Sequence, residues 1–213
     1  MITLKYKPEY LDDLLVRMAH HSTAIEGNTL TQGETKSILL DNYIPRSMDM
    51  RELNEVLNYK TFIRFFMDNL EAGTHLTVDF ICQVHAILCK DAIQGVPGQF
   101  KKTPNIILGA DFTPVPPYMV PSALTDWLLN LDAQLAAAKN RHDTVEAICR
   151  QHIAFERIHP FSDGNGRVGR ALMAYSSVQS SPPLLSFLLS GLTAFVLELL
   201  KAEGERLTVI NNM

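Results

Sequence analysis

The run from His159 to Arg170 reads His-Pro-Phe-Ser-Asp-Gly-Asn-Gly-Arg-Val-Gly-Arg, and its residue types suit phosphate chemistry. A helix should end near Ile158, because Pro160 removes a donor and turns the chain. Gly164, Asn165 and Gly166 then permit backbone angles that bulkier residues resist, just where a new helix begins. Consecutive N–H groups at such a start form a nest for anionic oxygens, reinforced by the helix dipole. Arg167 and Arg170 are three apart, so both are expected on one face of the first turn. Their guanidinium forks match phosphate geometry. Asp163 brings a hard carboxylate beside the nest, suited to Mg²⁺ shared with substrate phosphates. His159 can take a proton near neutral pH. Together these residues predict a di- or triphosphate cradle with a metal and a base.

A rival arrangement uses His152, Glu156 and His159, whose spacing could place them on one helix face as a hydrolytic metal site. Against it, His159 abuts Pro160 at a helix end and the HExxH spacing is absent.

The segment resembles the signature of the Fic family, H-x-F-x-[D/E]-G-N-G-R-x-x-R, at every specified position. The preceding run His152 to Ile158 is similar to the family's helix that leads into this loop. The resemblance implies an all-α, Fic-like helical bundle with a small β-hairpin flap. It also implies transfer of AMP from ATP to a Ser, Thr or Tyr hydroxyl of a target protein. Related Doc kinases carry Lys where this chain has Gly166, so the resemblance falls on the AMP-transferring side. In the implied roles His159 is the base and Asp163 holds Mg²⁺. Gly164, Asn165 and Gly166 form the anion hole, Arg167 binds the inner phosphates, and Arg170 grips the γ-phosphate. Phe161 is expected to anchor the loop in the core.

Far upstream, Ser22-Thr23-Ala24-Ile25-Glu26-Gly27 resembles the family's inhibitory motif, [S/T]-x-x-x-E-[G/N]. The implied role of Glu26 is to pair with Arg170 and fill the space of the γ-phosphate. Residues 98–113 correspond in order to the family's flap, where a target segment is thought to dock by strand addition. Thr103, Pro104, Asn105, Ile106 and Ile107 are the expected docking edge. The resemblance covers roughly residues 10–180 and departs at Ala174, where many relatives have Asn. Two alternatives share the fold: a hydrolase in which Glu26 orders a water to remove AMP from a modified protein, and a catalytically silent interaction module.

The elements that must position these residues are legible in part. Pro8 suits a first helical turn, and apolar residues recur at helical spacing from Glu9 to about Ile25, before Gly27-Asn28 stops the helix. Thr31 with Glu34 predicts a capping box for a short helix to about Leu40. Asp49 can cap a long helix to about Leu70, and Thr77 another to about Cys89. Residues 95–118 are rich in Gly and Pro and predict a loop region with short extended runs at 99–103 and 105–108. Helical pattern resumes over 122–138, 143–158 and 166–178. The apolar run Leu184 to Leu200 is near the lower length of a membrane span but includes Gly191 and Glu198. It predicts a core or subunit-interface helix, hence no membrane and a possible homodimer. The expected organisation is one domain over 1–213, with an inhibitory helix in 1–30, a flap in 95–118 and a catalytic loop at 159–170.

Composition narrows the function classes. Of 213 residues, 46% are hydrophobic and 20% charged, which is globular rather than disordered. Nineteen basic against 23 acidic side chains give a net charge of -4, which argues against a general nucleic-acid binder. Cys82 and Cys89 fall seven apart on one predicted helix, roughly 10 Å, beyond disulfide reach. With no CxxC pattern and no apolar signal core at the amino terminus, a reducing cytoplasm is expected.

Overall fold

The computed structural model describes residues 7–107 and 112–180. The predicted helix at Leu184 to Leu200 lies outside the described residues, as does the flap tip at 108–111.

Each helix start has a local cause. Helix α1 (Pro8–Ile25) begins with proline in its first turn and ends at Glu26, followed by Gly27 at φ 90°. Helix α2 (Gln32–Leu39) carries the predicted capping box: the Thr31 hydroxyl accepts from Glu34 N, and the Glu34 carboxylate accepts from Thr31 N. Asp49 caps α3 (Met50–Ala72) by accepting from Arg51 N, and Gly73 ends it in the left-handed conformation. Thr77 caps α4 (Val78–Leu88) through Phe80 N. Helix α5 (Val120–Ala137) follows a short 3-10 turn, Pro117–Met119. Helix α6 (Arg141–Ile158) starts two residues before the expected 143, capped by Asn140, which accepts from Asp143 N while the Asp143 carboxylate accepts from Lys139 N. Helix α7 (Asn165–Ser180) follows the loop 159–164.

The main core is a contiguous cluster to which all seven described helices contribute, with a small second cluster of Ile148, Cys149 and Met173 between α6 and α7. Helix α7 is buried nearly all round and packs against α4 and α6, while α3 bridges α1 and α4. Phe62, Phe66 and Tyr175 form a chain of ring contacts, with centroids 5.6 Å apart at each step. Burying each such ring contributes about 1.5–3 kcal/mol. The Tyr175 hydroxyl donates to Thr74 O at 2.7 Å, so its polar end is satisfied. The Trp127 indole N–H donates to Gln151 O at 2.7 Å, locking α5 onto α6. This packing holds the end of α6 and the start of α7 beside α1, α3 and α4.

The architecture is all-α, as expected, but no strand forms among the described residues of the flap. The described part of the expected extended runs, 99–103 and 105–107, is irregular chain. The cause is the destination of the backbone donors: Gly98 N–H goes to the His85 ring, Gln99 N–H to Val96 O, and Lys101 N–H to Pro160 O. Gly98 and Lys101 thus bind α4 and the loop 159–164 instead of a partner strand, and Gln99 closes a local turn. Among the described residues, no helix is long and apolar enough to cross a membrane, and all three cysteines are free thiols.

Candidate active site

Helix α6 ends on His159, which adopts the left-handed conformation at φ 50°, its N–H donating to Phe155 O at 3.0 Å. Its Nδ1 lies 3.3 Å from Glu156 O; as donor there, it leaves Nε2 with the free lone pair. Burial pushes the His159 ring below its ordinary value, against the raising effect of the Glu156 carbonyl, and the nearby Lys101 charge lowers it further. The neutral form of the ring is therefore favoured at physiological pH.

The loop is closed by Asn165. Its side-chain oxygen accepts from Phe161 N at 2.8 Å and its amide donates to Phe161 O at 2.9 Å. Phe161 is fully buried, the core anchor expected of it. Gly164 sits at φ 76°, and a Cβ there would run into the Cys89 sulfur, so only glycine fits. Asp163 accepts from Gly164 N at 2.6 Å while its side chain stays 52% exposed. A half-exposed carboxylate at the start of α7 fits Mg²⁺, which takes one or two carboxylates together with substrate phosphates. The N–H groups of Asn165, Gly166 and Arg167 lie in the first turn of α7, whose donors find no partner within the helix.

The two arginines diverge, contrary to the expectation of a shared face. Arg167 is only 2% exposed and turns inward, with Nη1 3.4 Å from Glu55 on α3 and Nη2 3.8 Å from Asp163. The cause is the buried Glu55 carboxylate, which needs a countercharge once out of water. Asn28 also donates to Glu55, at 2.9 Å, so one carboxylate joins the segment after α1 to the loop. Arg170 instead reaches α1. Its Nε donates to Ser22 Oγ at 2.9 Å, and its Nη2 donates to Ser22 O at 2.9 Å and to Glu26 at 2.6 Å. The point where a Cβ on Gly166 would stand lies 2.5 Å from Glu26 Oε1 and 2.8 Å from Arg170 Nη1. The Glu26 carboxylate thus lies against the first turn of α7 at Gly166.

The flap rests on the loop through two side chains. Buried Lys101 donates to Asn105 at 2.7 Å, with Ile158 O at 3.4 Å, and Asn105 donates to Phe161 O at 3.0 Å. Asn105, expected on the docking edge, is therefore turned inward as an anchor. Its amide is a second donor to the Phe161 carbonyl, which also accepts from Asn165. Thr103, Pro104 and Ile106 are exposed, Ile106 by 86%, and Ile107 is half-buried.

His152, Glu156 and His159 stand together, but the His nitrogens lie 4.0 and 3.9 Å from the Glu156 carboxylate. No group of three or more metal-ligating side chains converges among the described residues. Burial pushes Glu156 up to about 7 and His152 down to about 4. The Glu156 Oε1 and His152 Nδ1 atoms are buried without hydrogen bonds, and both crowd the site of a Cβ on Gly169.

His85, Glu55 and Lys101 were not among the sequence candidates. His85 alone left a trace, as the single ring nitrogen pair on the apolar stripe of α4 among Phe80, Ile81, Val84 and Leu88. Burial pushes it down to about 4.

A family model described as the Fic/DOC family matches residues 75–176. The protein adenylyltransferase fic-1 of Caenorhabditis elegans is 33% identical over 172 residues, covering 78% of this chain and 32% of the relative. The protein of the same name from Caenorhabditis briggsae is 32% identical over 171 residues, with the same coverage of 78% and 32%. The chain thus spans about a third of the length of these curated relatives. Among solved structures, a Fic domain containing signaling protein from Bacteroides thetaiotaomicron superposes with a TM-score of 0.71 at 25% identity. The superposition covers 84% of this chain and 69% of that one.

Proposed function

The chain belongs to the Fic/DOC family through its domain at residues 75–176, and on that premise we propose that it is a protein adenylyltransferase held in check by Glu26. The reaction moves AMP from ATP to a side-chain hydroxyl of a target protein. The name protein adenylyltransferase borne by the curated relatives supports this reading.

In the proposed reaction His159 Nε2 takes the proton of the attacking hydroxyl, its tautomer set by the Nδ1 contact with Glu156 O. The hydroxyl oxygen bonds to the α-phosphorus, the bond to the β-phosphate oxygen breaks, and pyrophosphate leaves. Asp163 would hold Mg²⁺, which when bound neutralises charge on the phosphates. The first-turn N–H groups of Asn165 and Gly166 receive phosphate oxygens. Arg170, once free of α1, clamps the γ-phosphate. Arg167 acts from within, joining the loop to Glu55 and standing beside Asp163. The exposed flap residues Thr103, Pro104 and Ile106 face the target.

The observation that carries the regulatory part is the 2.6 Å contact of Glu26 with Arg170. A carboxylate there both satisfies the guanidinium and repels a phosphate. The same carboxylate supports a second reading, in which Glu26 orders a water that hydrolyses AMP from a modified protein. Mass spectrometry of lysate proteins after incubation with ATP and Glu26→Gly tests the proposal. AMP adducts on hydroxyl side chains are expected. Their absence, with loss of AMP from pre-modified proteins by the unaltered chain, would favour the second reading; absence of both would leave an interaction module.

A further inference from the structure

We propose that His85 is a positioning residue that anchors both the flap and the loop 159–164, one through each ring nitrogen. The ring is fully buried and lies flat on Phe161, with centroids 3.8 Å apart and planes within 4°. Its Nδ1 accepts from Gly98 N at 2.7 Å, which places the ring proton on Nε2. Nε2 then donates to Asp163 O at 3.1 Å. Gly98, at φ 84°, begins the flap and is pressed onto α4, where a Cβ would meet Ala86 Cβ at 3.2 Å and Cys82 O at 3.3 Å. One ring therefore joins the flap's first fixed point to the backbone of the residue proposed to hold the metal. No other natural side chain offers a planar acceptor and donor on opposite edges with this reach and a face to stack on Phe161. The ring thus pins the start of the flap and the loop backbone at once, each through its own nitrogen.

The inference rests on the phosphate role proposed for the loop. Two variants separate the bonds. His85→Asn keeps an acceptor near the Nδ1 position but cannot reach Asp163; His85→Gln places its amide donor near the Nε2 position but leaves Gly98 N without an acceptor. Both are made in the full chain carrying Glu26→Gly, and circular dichroism checks that each is folded. Two quantities are read: hydrogen exchange at the Gly98 amide without nucleotide, and affinity for Mg²⁺·ATP by calorimetry. In His85→Asn the Gly98 amide should stay protected while Mg²⁺·ATP binding weakens about 10- to 100-fold, the usual loss when a partner supporting a metal ligand is removed. In His85→Gln the Gly98 amide should exchange faster while Mg²⁺·ATP affinity stays within about threefold of the parent, the loop bond being kept. Equal changes in both variants, or no change in either, would overturn the assignment of one bond to each ring nitrogen. A parent that binds no Mg²⁺·ATP would instead overturn the nucleotide site, so the two failures are distinct.

Discussion

Replacing Glu26 by glycine removes one of three contacts that hold the Arg170 guanidinium against α1, leaving the two to Ser22. A charge-assisted hydrogen bond contributes about 1.5–3 kcal/mol. Arg170 and Glu26 retain 19% and 30% exposure, so solvent screening favours the lower end, about 1.5 kcal/mol or about tenfold in an equilibrium. Glu26 follows the last turn of α1 and Gly27 ends the chain's helical path, so the fold should survive the change. The assay is the rate of AMP transfer at ATP below saturation for the unaltered chain, Glu26→Gly, Glu26→Gln, Arg170→Ala and the double variant. Glu26→Gly should rise about tenfold or more, since steric blockage of the nest is relieved as well. Glu26→Gln should rise less, because it keeps the volume and loses the charge. Arg170→Ala should not match Glu26→Gly, because it frees the site and deletes the γ-phosphate clamp together. A Glu26→Gly rate equal to or below that of the unaltered chain would refute the brake.

Asp163→Asn keeps an acceptor for Gly164 N but not the charge, so thermal stability should hold within about 0.5 kcal/mol while Mg²⁺ no longer strengthens ATP binding. Calorimetry with and without EDTA reads this, and unchanged metal dependence would make Asp163 structural. Glu156 binds its proton in the folded chain up to about 7, against an ordinary 4.5, so its contribution is fully present below 4.5 and is lost as pH rises through 7. Urea unfolding should therefore show Glu156→Gln gaining on the unaltered chain between pH 5 and 8, by on the order of 2 kcal/mol; a constant gap would contradict it. Arg167→Ala strands the buried Glu55 with Asn28 and Arg51 as remaining partners, and should cost about 2–4 kcal/mol in the same assay. A loss below about 0.5 kcal/mol would mean the pair is not a buried anchor.

The parts of the fold written in local chemistry were legible from the residues. Thr31 with Glu34, Asp49 and Thr77 mark helix starts because their side chains bond the backbone within three positions. The turn at Pro160 and the glycine at 164 were legible for the same reason. The Glu26–Arg170 pair spans 144 positions and was reached only through a family resemblance. What escaped were long-range partners whose own neighbourhoods look ordinary. Glu55 reads as a polar position on a solvated helix face, yet it is drawn inside by Arg167. Asn105 and Lys101 read as surface flap residues, but the carbonyls of Ile158 and Phe161 claim them. No strand forms among the described flap residues for a related reason, since the Gly98 and Lys101 donors go to a ring nitrogen and a loop carbonyl.

The central claim is that the α-phosphate, and not the γ-phosphate, is the group transferred, with His159 as base. Its most direct measurement compares α-labelled and γ-labelled ATP in parallel lysate reactions with Glu26→Gly and with the Glu26→Gly/His159→Ala double variant. The account predicts protein-bound label from the α position only, falling by about 10² to 10⁴-fold when His159 is removed. Label from the γ position, or α-label undiminished without His159, would contradict it.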